Sequence, residues 1–109
     1  MGQLYEKMAT DLKLRRYSRR TQKSYLWAAR RFVRHFMRSP GEMGMTEIRQ
    51  FLLMLHDRGE SASSIKMDVA SLRFLYGVTL PRVGRARHQS PRDHARVQAF
   101  VRHAPAGIG

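Results

Sequence analysis

The side chains best suited to chemistry in this chain are cations, gathered in one stretch. Arg19, Arg20, Lys23, Trp27, Arg31, Arg34 and Arg38 follow one another closely, with Thr21 and Ser24 among them. Guanidinium and ammonium groups in such a run pair with phosphate oxygens; they recognise and hold, and do not themselves cut. Groups able to break bonds are scattered. Glu42 and Glu47 are too isolated to work as an acid–base pair. His88, His94 and His103 are separated by 6 and 9 residues with few carboxylates nearby, so no metal site is expected. Gly41 and Gly44 flank a turn but lack the Gly-Lys-Ser/Thr ending of a phosphate loop. The chain has no cysteine, which excludes a disulfide framework and Cys-ligated zinc or iron–sulfur centres. The methionines Met37, Met43, Met45, Met54 and Met67 read as core or edge filler rather than a cofactor box. No cofactor and no catalytic residue are expected.

The charge is large and unevenly placed. In 109 residues there are 21 Lys plus Arg against 8 Asp plus Glu, a formal net charge of +13. Residues 1–39 carry +9, residues 40–80 carry −1 and residues 81–109 carry +5. Charge kept only for solubility would not concentrate in this way, because self-repulsion opposes folding. A polyanionic partner is the chemical implication. The longest apolar run is Phe51-Leu52-Leu53-Met54-Leu55, far short of the ~20 residues that span a bilayer. No secretory signal opens the chain, so a cytoplasmic protein with no membrane and no small-molecule substrate is expected.

The elements that must position these cations are helical. Leu4, Met8 and Leu12 mark a first helix over about Gln3 to Leu14. Ser18 has the chemistry of an N-cap for a second helix, about Arg19 to Met37, with Tyr25, Ala28, Ala29, Phe32, Val33 and Phe36 on its buried stripe. Ser39-Pro40-Gly41 ends it. Thr46 is the expected cap of a third helix, Glu47 to Arg58, buried through Ile48, Phe51, Leu52 and Leu55, with Gly59 as its C′ residue. Ser61 or Ser63 caps a fourth, which turns Ile65, Val69, Leu72, Leu75 and Tyr76 inward. No stretch alternates as a strand would. The fold class is all-α, a compact four-helix bundle over residues 1–80. A basic, mostly irregular tail follows at 81–109, with one short helix about 91–102 capped by Ser90 and carrying Val97, Phe100 and Val101.

On the second helix, Arg20, Ser24, Trp27, Arg31, Arg34 and Arg38 fall on the side opposite Tyr25, Ala29, Phe32 and Phe36. Arg19, Arg20 and Lys23 also open that helix, where the macrodipole is already positive and each exposed cation costs ~0.3–1 kcal/mol. A local rule broken at one helix end marks a place where phosphate oxygens would supply the missing negative charge. Trp27 either lies against a sugar or base or covers the first helix at a bundle edge; packing is the commoner role for an amphipathic Trp. On the fourth helix, Ser63, Ser64, Lys66 and Arg73 offer hydroxyls and cations of the kind that contact phosphates, although capping alone would explain one serine.

Tyr17-Ser18-Arg19-Arg20-Thr21, then Tyr25-Leu26 and Arg30-Arg31-Phe32, resembles the opening of tyrosine recombinases. Gly59-Glu60-Ser61-Ala62-Ser63-Ser64-Ile65, with Val69 and Leu72-Arg73-Phe74-Leu75-Tyr76, is similar to the last helix of the same N-terminal, SAM-like core-binding domain. The resemblance covers about Leu4 to Leu80. It implies a four-helix domain forming one half of a clamp on DNA, with Arg20, Thr21 and Lys23 on the second helix and Ser63, Ser64, Lys66 and Arg73 on the fourth at the duplex. The family's chemistry lies in a following domain with arginines, a His-x-x-Arg motif and a tyrosine nucleophile. The last tyrosine here is Tyr76, inside the fourth helix, and His35-Phe36-Met37-Arg38 matches the motif by chance in the wrong domain. The expected function is therefore a double-stranded-DNA-binding module of a truncated recombinase, associated with DNA integration and recombination and not itself an enzyme. Its expected DNA-binding residues are Arg19, Arg20, Thr21, Lys23, Trp27, Arg31, Arg34, Ser63, Ser64, Lys66 and Arg73. Two alternatives stay open: a basic accessory protein for RNA, a partner recombinase or another copy of itself, and a decayed fragment without a role.

Overall fold

The computed structural model describes residues 2–83 and 91–102. Helix α1 spans Gly2–Leu14, α2 Arg19–Phe36, α3 Met45–Asp57, α4 Ala62–Phe74, α5 Leu80–Val83 and α6 Pro91–Arg102. A 3₁₀ turn, Pro40–Glu42, joins α2 to α3, and a π-helical segment, Leu75–Thr79, runs between α4 and α5. No strand occurs among the described residues. The all-α expectation is met.

Helix ends follow local side-chain chemistry. The Ser18 Oγ accepts from the Thr21 N–H at 3.2 Å, and the Ser61 Oγ accepts from the Ser64 N–H at 3.1 Å. These caps satisfy donors that the first turn leaves without partners. Gly59, at φ +81°, closes α3: its N–H donates to the His56 carbonyl and the Glu60 N–H donates to the Leu55 carbonyl. Helix α3 begins earlier than Thr46 suggested. Gly44 takes the cap position, and the Glu47 carboxylate reaches back to accept its N–H at 2.7 Å. At the ends of α1 and α2 the left-handed position is filled by Arg16 (φ 62°) and Met37 (φ 53°). A side chain there costs ~1–2 kcal/mol that glycine would avoid.

The apolar stripes meet in one core. Met8 and Leu12 of α1, Leu26, Ala29 and Phe32 of α2, Ile48, Phe51 and Leu55 of α3, and Val69 and Leu72 of α4 are all buried. Phe32 is the centre, its ring edge-on to Phe36, Phe51 and Tyr76. Tyr76 is buried too. Its hydroxyl donates to the Pro40 carbonyl at 2.8 Å, and burial pushes the phenol far above its ordinary pKa, so it stays a protonated structural donor. The core continues into α6, whose Val97 and Phe100 are buried in the same cluster. This helix fills the place of the short one expected at about 91–102; Ser90, its expected cap, lies outside the described residues. The approach of α6 is close at Gly77, where an added Cβ would meet Val101 Cγ1 at 2.5 Å. Glycine in the π segment leaves room there for the Val101 side chain of α6.

Candidate nucleic-acid interface

Helices α2 and α4 lie side by side and antiparallel. Arg31, late in α2, meets Glu60, just before α4, and Asp68, midway along it. Tyr25, earlier in α2, accepts through its carbonyl from the Ser71 Oγ at 2.6 Å, and its ring lies 6.3 Å from that of Phe74. The opening of α2 is therefore at the closing end of α4. The two expected clusters do not converge on a point: Arg19, Arg20 and Lys23 lie at one end of the pair, and Ser63, Ser64 and Lys66 at the other. Between Arg20 and Arg34 the helix rises ~21 Å, so the cations form a strip rather than a pocket.

Arg19, Arg20, Lys23 and Arg34 are exposed, and none takes part in an ion pair among the described residues. Thr21 is half-buried, its Oγ1 accepting from the Ser18 hydroxyl at 3.0 Å within the cap. Ser63 and Lys66 are exposed on α4, whereas the Ser64 hydroxyl donates to Glu60 Oε1 at 3.2 Å.

Arg31 and Arg73 differ from what the helical face suggested. The Arg31 guanidinium is 2.7 Å from Asp68 Oδ2 and 3.2 Å from Glu60 Oε2, so its charge is matched inside the protein. The Arg73 Nε and Nη2 both donate to the Val101 carbonyl, at 3.0 and 2.9 Å, holding the last turn of α6. Trp27, for which packing over the first helix was the commoner expectation, is 60% exposed instead. The Arg31 guanidinium sits 4.7 Å from its ring centroid. The locked arginine thus holds an aromatic plate in the cationic strip.

The group beneath Trp27 is electrostatically expensive. Asp68 is 2% exposed, and its Oδ1 and the Arg31 Nε are buried without hydrogen-bond partners among the described residues. Withdrawal from water pushes the Asp68 carboxyl up to about 6; Arg31 pulls it down and Glu60 pushes it further up. Because this pKa is above the ordinary value, the folded state holds a proton between about pH 4 and 6 that the unfolded chain releases. The Asp68 contribution to stability is therefore expected to fall as pH rises through that window, by up to about 3 kcal/mol. Urea melts between pH 4 and 7 check this: Asp68→Asn should flatten the dependence, and an unchanged slope would assign it to another group.

A second set of cations was not singled out from the sequence. Lys13, Arg15 and Arg16 are exposed at the α1–α2 turn, immediately before Arg19, and also make no ion pair among the described residues. The signal was present in the +9 of residues 1–39, but helical periodicity does not assign positions to a turn. Arg38 is partly engaged, donating to the Glu42 carbonyl at 2.8 Å.

Among the described residues no three His, Asp or Glu side chains gather as a metal site, and His88 and His103 lie outside them. No helix among them is long and apolar enough to cross a membrane.

Comparison with known proteins adds family context. The family model described as phage integrase, N-terminal SAM-like domain, matches residues 4–83. A Sinorhizobium fredii protein named as an integrase/recombinase is 37% identical over 83 residues, covering 75% of this chain and 27% of the relative. Integrase/recombinases of Escherichia coli and Pseudomonas aeruginosa are each 38% identical over 66 residues, 59% of this chain and 20% of theirs. The chain thus spans about a quarter or less of the length of these curated relatives. No solved structure matches it.

Proposed function

Because the chain belongs to the phage integrase N-terminal SAM-like domain family, we propose that it is a duplex-DNA-docking module of an integrase/recombinase. The observation that supports this most is the run Lys13, Arg15, Arg16, Arg19, Arg20 and Lys23. Six cations stand close along the chain, and none is paired with a carboxylate among the described residues. Glu60 and Asp68 are committed to Arg31, and Glu47 to the Gly44 N–H and Arg38.

Docking is electrostatic in this proposal. Phosphates along one strand meet Arg15, Arg16, Arg19, Arg20 and Lys23, replacing the counterions that such a face otherwise holds. Arg34 and Trp27 extend the contact along α2, and Ser63 and Lys66 meet phosphates at the far end of the strip. Ser64 and Thr21 hold helix ends in place, while Arg31 and Arg73 act as positioning residues for Trp27 and α6. Strand cleavage is not assigned to any of these side chains. The salt dependence of binding to a labelled duplex tests the proposal: steep weakening between 50 and 200 mM salt is expected, and a flat profile would overturn it.

A further inference from the structure

On the α1 side of α2 there is a cleft that phosphate recognition does not explain. Its volume is about 540 Å³, within the range of ligand-binding clefts. Leu4, Val33, Met37 and Pro40 supply apolar lining, and Arg30, Arg34 and Arg38 supply the charge. Arg30 and Arg34 stand one turn apart on α2, and Arg38, just past the left-handed Met37 cap, completes the charged rim. A row of phosphates would satisfy the arginines but gains nothing from the apolar lining.

Met37 gives an independent sign. It is 83% exposed and held at φ 53°, ψ 39°. Neither solubility nor backbone preference favours methionine at such a position; glycine or asparagine would serve better. Strain combined with an exposed, adaptable apolar side chain is a feature of binding surfaces. Around it, Arg34 makes no ion pair among the described residues, and Arg30 lies only over the Tyr5 ring, 5.8 Å from its centroid. Arg38 keeps a side chain 48% exposed despite its contacts with Glu42 and Glu47.

We propose that this cleft docks an acidic amphipathic helix of a partner protein. The partner's apolar side chains enter between Leu4, Val33 and Met37, and its flanking carboxylates pair with Arg30, Arg34 and Arg38. Charge selects this occupant over a second copy of the chain, which carries +13 and would be repelled. Arg34 is common to the DNA strip and the cleft, whereas Met37 and Leu4 have no part in the strip and test the cleft separately from it.

The probe is a fluorescein-labelled synthetic helix of about five turns, with leucines on one face flanked by glutamates. Two control peptides carry Glu→Gln or Leu→Ser throughout. The expected results are saturable binding to the full chain, with shifts at the Met37 and Leu4 methyl signals, and about tenfold weakening for each control peptide. Met37→Gly should raise the melting temperature, since it relieves the left-handed backbone, and should weaken peptide binding about tenfold. Its duplex affinity should stay within about twofold of the original. Met37→Asp provides a second variant, placing a carboxylate that repels the peptide's glutamates, and should also weaken peptide binding. Equal affinity for the Glu→Gln or Leu→Ser peptide would overturn the proposal. So would Met37 and Leu4 shifts produced by duplex DNA, or by raising the protein concentration alone. Loss of duplex binding with peptide binding intact would sink the DNA-docking proposal and leave this one standing.

Discussion

Replacing Arg31 with alanine is expected to destabilise the folded protein by about 3–5 kcal/mol. The reason lies in what would remain. Asp68, 2% exposed, and Glu60 would face one another without the guanidinium that now bridges them, and Asp68 Oδ1 already lacks a partner. A loss of that size is a large share of the stability of a domain this small. Removing the pair together should be far milder: Arg31→Met with Asp68→Leu takes away the buried carboxylate and its partly buried partner and should recover most of the loss. Urea denaturation of the two variants makes the comparison. If Arg31→Ala folds as well as the parent and only loses DNA affinity, the guanidinium serves phosphate first and the ion pair second.

Replacing Arg20 and Lys23 with alanine should have the opposite profile. Both side chains are exposed at the opening of α2, where no acidic residue occupies the first turn. Folding should be unaffected or improved, because each cation there works against the macrodipole by ~0.3–1 kcal/mol. Duplex affinity should fall, and the slope of log K against log salt should flatten by about 1–2 units, near 0.9 for each phosphate no longer neutralised. An unchanged slope would move the footprint off this face.

Much of the fold was readable from the sequence where the deciding chemistry is local. Ser18, Ser61 and Gly59 cap helices through atoms within a turn of themselves, and they do so in the structure. The stripe Ile48, Phe51, Leu52 and Leu55 is buried as its spacing predicts. The start of α3 was harder, because Thr46 has cap chemistry while the cap position is held by Gly44 with help from Glu47. The π segment at Leu75–Thr79 could not be seen, since Leu72, Leu75 and Tyr76 also fit an ordinary helix.

The site divides along the same line. A helical wheel places Arg31 in the cationic band beside Arg34, and nothing local separates the two. What separates them is Asp68, 37 residues further along the chain, which only the antiparallel packing of α4 brings to 2.7 Å. Arg73 is likewise diverted by Val101, 28 residues away. The Arg31 guanidinium that lies against the exposed Trp27 ring is held by that same long-range pairing. Charge distribution therefore indicated the region of the interface, but long-range pairing decides which cations in it are available.

The most direct test is a fluorescence-anisotropy titration of a labelled duplex with the intact chain at several salt concentrations between 50 and 200 mM, repeated with a structured RNA competitor. With about five phosphates neutralised, the slope of log K against log salt should be near −4.5, a loss of several hundredfold across that range, and duplex DNA should compete better than the RNA. A slope near zero, no binding at 50 mM, or preferential displacement by the RNA would contradict a duplex-docking face on α2.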